Sequence, residues 1–149
     1  MSEVSKVRWR WLKGMYIYTA AGAGIFGLAM LVAPGAVRSA FGLPDQDPVM
    51  FGVVGSVYVA FGVVSLLGLR APLRFAPVLL LELAYKSIWF VAVVLPLCVR
   101  GEFPGHGLPF ILIFATYIIG DLIAIPFSRV FARERADHGR LGDAGSSRH

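Results

Sequence analysis

Four long apolar runs dominate this sequence of 149 residues. They extend from Met15 to Ala33, from Met50 to Leu69, from Phe75 to Val99 and from Leu108 to Phe127. A helix needs about 20 apolar residues to cross the hydrocarbon core of a bilayer, and each run has about that length. Backbone groups in lipid must pair within the chain, which favours helices over strands. The runs therefore predict an all-α fold, a four-helix transmembrane bundle with short loops.

The composition agrees with a protein whose surface faces lipid more than water. Hydrophobic residues make up 57% of the chain and charged residues 15%, whereas about a quarter of a soluble domain is charged. The net charge is +5, but the basic residues flank the apolar runs and form no nucleic-acid-binding motif. This arrangement is typical of helix ends beside anionic lipid headgroups. We therefore expect membrane lipid, and no nucleic acid, as a partner.

The distribution of Lys and Arg predicts the orientation of the bundle. Four crossings would bring the N-terminal segment, the second connection and the C-terminal tail to one side of the membrane. The basic residues of that side are Lys6, Arg8, Arg10, Lys13, Arg70, Arg74, Arg129, Arg133, Arg135, Arg140 and Arg148. The opposite connections contain only Arg38 and Arg100. By the positive-inside rule both termini are cytoplasmic, and the expected location is the bacterial inner (plasma) membrane, crossed several times.

Three segments divide the chain in this interpretation. Residues 1–14 form a basic and aromatic interfacial segment, residues 15–128 the transmembrane domain, and residues 129–149 a polar tail that we expect to be disordered. A basic start followed by an apolar run also fits a cleaved signal peptide. The first run, about 19 residues long, exceeds the apolar region of a typical signal peptide, about 7 to 15 residues, so we favour a retained helix.

Small residues recur at four-residue spacing in the first two runs. The sets are Ala20 with Gly24, Ala23 with Gly27, and Gly52 with Ser56 and Ala60, next to Gly55. Such rows let helix backbones approach closely in lipid. We expect these residues to form contacts inside one bundle, and a homo-oligomer interface is the alternative.

Three ionisable residues, Glu82, Lys86 and Asp121, lie inside apolar runs. A charged side chain at the centre of a membrane helix costs about 2.5 to 3.5 kcal/mol, so these residues should face the bundle interior. At 1.5 Å per residue, Glu82 and Asp121 both lie about 10 Å from the side of the termini, with Lys86 one turn deeper. Antiparallel helices would therefore bring the three side chains to similar levels.

Aromatic residues share the helical faces of these charges. Tyr85 and Trp89 lie on the face of Glu82 and Lys86, and Tyr117 lies on the face of Asp121. The candidate ligand-binding residues are thus Glu82, Tyr85, Lys86, Trp89, Tyr117 and Asp121. One alternative is a self-satisfied network without a ligand, in which Glu82 and Lys86 form an i, i+4 pair. Another is that Lys86 extends to the membrane interface.

No metal or cofactor is predicted. His106 and Glu102 in the last connection are too few ligands for a metal site, and no phosphate-binding or dinucleotide motif occurs. Gly22, Gly24 and Gly27 match a glycine-rich dinucleotide pattern only by chance, because they lie within a membrane run with no preceding strand. No catalytic residue is assigned.

The stretch ELAYKSIWFVAVVLP, from Glu82 to Pro96, resembles small bacterial four-helix membrane proteins similar in layout to the DoxX-like assemblage. The segment LVAPGAVRSAFGLP and the Gly-rich second run add to this likeness. The resemblance covers about Met15 to Phe127 and implies a four-helix fold and a membrane location, but no reaction. DoxX-like proteins are variously linked to redox or oxidative-stress complexes, and this chain departs from a paired-cysteine pattern because Cys98 is its only cysteine.

Three functions remain open from the sequence. The leading interpretation is a membrane subunit or binder of a small apolar molecule, which uses the pocket of Glu82, Lys86 and Asp121. The alternatives are a membrane-embedded acid/base enzyme, an isomerase or cyclase acting on an isoprenoid-like lipid, and a small proton-coupled transporter that acts as an oligomer. A buried Asp and Glu without a nearby His favours binding over chemistry.

Overall fold

The computed structural model describes residues 7–128 and residue 130. The helical body, Trp9–Ile125, contains four helices that are long and apolar enough to cross a membrane: α1 (Trp9–Val32), α3 (Pro48–Arg70), α4 (Ala76–Val99) and α5 (Gly105–Ala124). A short helix, α2 (Pro34–Phe41), separates α1 from α3. This described part of the chain has no strand. The predicted all-α, four-helix transmembrane bundle is confirmed, and the cytoplasmic position of the termini stays a prediction.

The described residues 7–8, 126–128 and 130 belong to a second, smaller unit. Within it, the Val130 N–H donates a hydrogen bond to the carbonyl oxygen of Pro126 at 3.2 Å. Apart from Val130, the tail predicted to be disordered, residues 129–149, lies outside the described residues.

Helix ends differ from the predicted runs at the first and last spans. α1 begins at Trp9 rather than Met15, so residues 9–14 of the predicted interfacial segment belong to the first helix. α5 ends at Ala124 rather than Phe127. The cause is Pro126, because a residue that precedes proline is disfavoured in helical backbone, and Ile125 accordingly has ψ of 120°.

The connection from α1 to α3 contains α2, which the apolar runs do not reveal. Pro34 opens the helix at a position where its missing N–H is not needed. Gly42 ends it with φ of +62°, the left-handed conformation that glycine adopts without strain. Val37 is buried and Phe41 half-buried, so α2 packs an apolar side against the bundle. This packing brings a ring from outside the four spans to the candidate site.

Helices α1 and α3 cross with their backbones in contact at glycines. A Cβ atom added to Gly62 would lie 2.5 Å from Cα of Gly24, and one added to Gly27 would lie 2.6 Å from the carbonyl oxygen of Gly55. Any larger residue would push the two helices apart, as expected for close packing in lipid. The predicted pairs that contain Gly24 and Gly27 are therefore confirmed as contacts inside the bundle.

The row of Gly52, Ser56 and Ala60 does not take part in this crossing. Gly52 has open space beside its Cα atom, and Ser56 and Ala60 are exposed on the bundle surface. The expectation that this row packs inside the bundle is wrong. The contact belongs to Gly55, and adjacent residues such as Gly55 and Ser56 differ in direction by about 100° around a helix.

Both α1 and α4 contain a π-helical turn beside predicted site residues. The turn in α1 is Ala20–Gly24 and the turn in α4 is Phe90–Val94, directly after Trp89. Such turns occur where a side chain interrupts the regular backbone hydrogen bonds, and they are frequent at functional sites.

Candidate functional site

A layer of buried polar side chains crosses the bundle interior, and each of the four long helices contributes to it. Its members are Thr19 of α1, Ser65 of α3, Glu82 and Lys86 of α4, and Asp121 of α5, none more than 1% exposed. Polar groups without partners are costly in such surroundings, so the partners of each member decide what the layer can do.

Glu82 is the fully partnered member of this layer. The Lys86 ammonium donates a hydrogen bond to Glu82 Oε1 at 2.5 Å, and the Thr19 hydroxyl donates to Oε2 at 2.8 Å. The predicted i, i+4 pair is therefore present inside the membrane-spanning part of the bundle. The alternative in which Lys86 extends to the interface is wrong, because its side chain is only 1% exposed and points to Glu82.

Three aromatic rings surround the Lys86 ammonium. Its Nζ atom lies 3.9 Å from the ring centroid of Tyr117, 4.8 Å from that of Tyr85 and 5.5 Å from that of Phe114. The electron-rich faces of such rings attract cations, each by about 0.5 to 2 kcal/mol. Two of these rings belong to the predicted ligand-binding set, and here they stabilise an internal cation.

Asp121 is equally buried but has no comparable partners. Among the described residues, neither of its carboxylate oxygens has a hydrogen-bond partner. It lies close enough to interact electrostatically with Glu82 and Lys86, yet it forms no ion pair with Lys86. The predicted cluster of three is thus a bonded pair and a separate acid.

A cavity of about 250 Å³ adjoins the Glu82–Lys86 pair. We call it the inner cavity. Eight of its lining residues are aromatic: Tyr18, Phe26, Phe41, Tyr58, Tyr85, Phe110, Phe114 and Tyr117. Of the six predicted ligand-binding residues, the structure places Glu82, Tyr85, Lys86 and Tyr117 at this cavity. Asp121 is not among its lining residues.

Trp89 lies at a second cavity, of about 420 Å³, which we call the outer cavity. Its ring packs edge-on against Phe114 with a centroid distance of 5.1 Å. The outer cavity is bordered by the connections that follow α2 and α4, for example at Leu43 and Pro104. The two cavities share four lining rings, those of Phe26, Tyr58, Phe110 and Phe114. These rings therefore separate the connection side of the bundle from the Glu82–Lys86 pair.

The Tyr117 hydroxyl is inserted into the backbone of α1. It donates a hydrogen bond to the carbonyl oxygen of Tyr18 at 3.2 Å and lies near the backbone N–H of Ala23. This insertion explains the π-helical turn. Gly22 provides the space, because an added Cβ atom would collide with the Tyr117 hydroxyl oxygen. The glycines of α1 thus accommodate a neighbouring helix and a tyrosine side chain.

Sequence patterns missed several residues of this site. A single threonine in an apolar run gives no signal in the sequence, although Thr19 lies one helical turn from Tyr16 on a buried face. Phe41 lies in α2, which the apolar runs do not reveal. Tyr58 lies in a run without a charged residue, so no spacing to a charge indicates its role. The described residues contain no group of three His, Cys, Asp or Glu side chains that could hold a metal ion.

Comparisons of the chain with protein-family models, with curated proteins and with solved structures find no match. The likeness to the DoxX-like assemblage therefore stays a prediction. Any functional assignment depends on the geometry of the inner cavity and of the ion pair beside it.

Proposed function

We propose that this multi-pass protein of the bacterial inner membrane binds a small, largely apolar molecule in the inner cavity. The observation that carries the proposal is an aromatic cavity of about 250 Å³ that ends on a buried Glu82–Lys86 pair. Ligand sites are typically concave, mostly apolar and supplied with a few placed polar groups. The inner cavity has each of these properties.

The size of the cavity limits the ligand. An engineered protein cavity of about 150 Å³ binds benzene, so about 250 Å³ corresponds to roughly ten non-hydrogen atoms. A fused bicyclic ring system, or the end group of a longer apolar molecule, has this size.

The position of the cavity favours a ligand that is dissolved in the bilayer. Tyr18 and Ile113 line the cavity, and both are exposed on the bundle surface. The cavity therefore reaches the surface between α1 and α5. The Tyr18 hydroxyl is hydrogen-bonded to Thr116 at 2.8 Å on this surface, so a ligand from lipid would pass beside this contact.

Binding accounts for the site better than acid/base catalysis or proton-coupled transport. A catalytic acid or base must reach the proton that it transfers. Both oxygens of Glu82 already accept hydrogen bonds, and Asp121 does not line the inner cavity. The described part of the cavity thus lacks an unpaired carboxylate, which supports a binder or a ligand-carrying membrane subunit.

The test is to purify the full chain from membranes and identify retained small molecules by mass spectrometry. Ala23 lines the cavity, so Ala23→Leu should fill part of it and reduce the retained molecule at least tenfold. Ala21→Leu is the matched control, because Ala21 is exposed on the same π-helical turn and does not line the inner cavity. The proposal is wrong if the chain retains no such molecule and shows no saturable binding of indane, or if both variants bind like the wild type.

The orientation has its own test. The excess of Lys and Arg on the side of the termini supports a cytoplasmic C-terminus. A reporter that works only in the cytoplasm should therefore be active when it is fused to the C-terminus. Activity of a periplasm-specific reporter at the same position would contradict this orientation.

A further inference from the structure

We infer that the ligand of the inner cavity is a neutral apolar molecule with one hydrogen-bond-accepting oxygen, such as a ketone, and that this oxygen binds the Lys86 ammonium. The inference rests on the proposed function and specifies the chemical class that the cavity selects. It depends on which hydrogen-bonding groups at the cavity are already used.

The ion pair offers the cavity a donor rather than an acceptor. An ammonium group has three N–H donors. Within residues 7–128 and 130, Glu82 is the only hydrogen-bond partner of Lys86, so donor capacity remains on a group that lines the cavity. Each carboxylate oxygen of Glu82, in contrast, already accepts a hydrogen bond, one from Lys86 and one from Thr19.

The tyrosine hydroxyls around the cavity are paired within the protein. Tyr117 donates to the carbonyl oxygen of Tyr18, and the Tyr18 hydroxyl is bonded to Thr116. The side chains of Tyr58 and Tyr85 lie close enough to interact with each other. Lys86 is therefore the charged donor at the cavity with N–H groups to spare, and its charge-assisted hydrogen bond to a ligand oxygen would be stronger than one from a neutral tyrosine hydroxyl.

The local charges favour a neutral acceptor over an anion. Glu82 already balances the charge of Lys86, and Asp121 interacts with both from the same layer. A ligand carboxylate would add a charge without a counterion to a buried site, which is costly in low dielectric. A cationic ligand would face the Lys86 ammonium directly.

The opposite end of the cavity is purely apolar. The ring of Phe41 lies 5.3 Å from that of Phe26 and 5.3 Å from that of Phe110, measured between centroids. Phe110 and Tyr117 are about 10 Å apart along α5, at 1.5 Å per residue. The ligand would accordingly place its oxygen at the level of Tyr117 and Lys86 and its carbon body at the level of Phe110.

Three probes of one skeleton test this inference: indane without a polar group, 1-indanone with a carbonyl oxygen, and 2-aminoindane with a cation. Binding is measured to the full chain in lipid nanodiscs, with empty nanodiscs as the blank. We expect 1-indanone to bind about tenfold more tightly than indane, which corresponds to about 1.4 kcal/mol. We expect no saturable binding of 2-aminoindane. The infrared carbonyl stretch of bound 1-indanone should move to lower frequency than in empty nanodiscs.

The variants assign the preference to Lys86. In the double variant Glu82→Met/Lys86→Met, which removes both charges of the ion pair and adds no N–H donor, indane and 1-indanone should bind equally and the carbonyl shift should disappear. Ala21→Leu should retain the tenfold preference. Equal binding of indane and 1-indanone to the wild type would overturn the inference and leave the proposed function intact. A preference for 1-indanone that survives in the double variant would have the same consequence. Saturable binding of none of the probes would contradict both.

Discussion

Glu82 and Asp121 are two carboxylates in one bundle, each with 0% of its surface exposed, and they have very different surroundings. Glu82 accepts hydrogen bonds from Lys86 and Thr19, whereas Asp121 accepts none from the described residues. Equal burial of two acids therefore does not mean an equal contribution to stability. The partner of Glu82 lies four residues along the same helix, so one helix is enough to form the pair. A partner for Asp121 would have to come from another helix.

The largest expected effect comes from breaking the ion pair. Lys86→Met should lower the free energy of unfolding by about 3 to 5 kcal/mol, because it leaves the Glu82 carboxylate buried without its cation. Adding Glu82→Gln should restore part of the loss, since the amide carries no charge. The measurement is reversible unfolding by SDS in mixed micelles. If Asp121→Asn restored as much of the stability lost in Lys86→Met as Glu82→Gln does, the ammonium would stabilise both carboxylates equally. The contrast between Glu82 and Asp121 would then be wrong.

The Thr19 hydroxyl should have a smaller effect on the same carboxylate. Thr19→Val removes a hydrogen bond to a charged acceptor, so we expect a loss of about 1.5 to 3 kcal/mol in the same unfolding assay. Ser56→Ala is the control. Its exposed hydroxyl bonds only to the carbonyl oxygen of Gly52 in its own helix, and its removal should change stability by about 0.5 kcal/mol or less. Equal effects of the two substitutions would show that Thr19 does not support Glu82.

The smallest effect should come from Asp121. Asp121→Asn keeps the shape of the side chain, removes neither an ion pair nor a hydrogen bond, and replaces a carboxyl that is costly to bury without a partner, so we expect no loss of stability in the same assay. Binding of 1-indanone should also be unchanged, because Asp121 does not line the inner cavity. A loss as large as that of Lys86→Met would place Asp121 in the ion-pair network after all.

Sequence patterns were reliable where a property depends on one helix. The four spans follow from the length of the apolar runs, and the Glu82–Lys86 pair follows from i, i+4 spacing. The rows of small residues were reliable only in part. Gly24 and Gly27 lie at the crossing of α1 and α3, but Gly52 does not. The sequence alone does not reveal how α3 is rotated about its axis. Four-residue spacing defines a face of a helix without saying which neighbour it meets.

The chain by itself thus determined an apolar four-helix fold and the presence of buried charges, because hydrophobic length and local spacing are properties of contiguous residues. Tertiary structure decided which of these charges pair and where the cavity lies. Thr19 reaches Glu82 from 63 residues away, and the Tyr117 hydroxyl reaches the backbone of Tyr18 from 99 residues away. Such contacts depend on the rotation and depth of each helix against the others. Those two quantities result from the packing of all the helices together, and no single run of residues contains them.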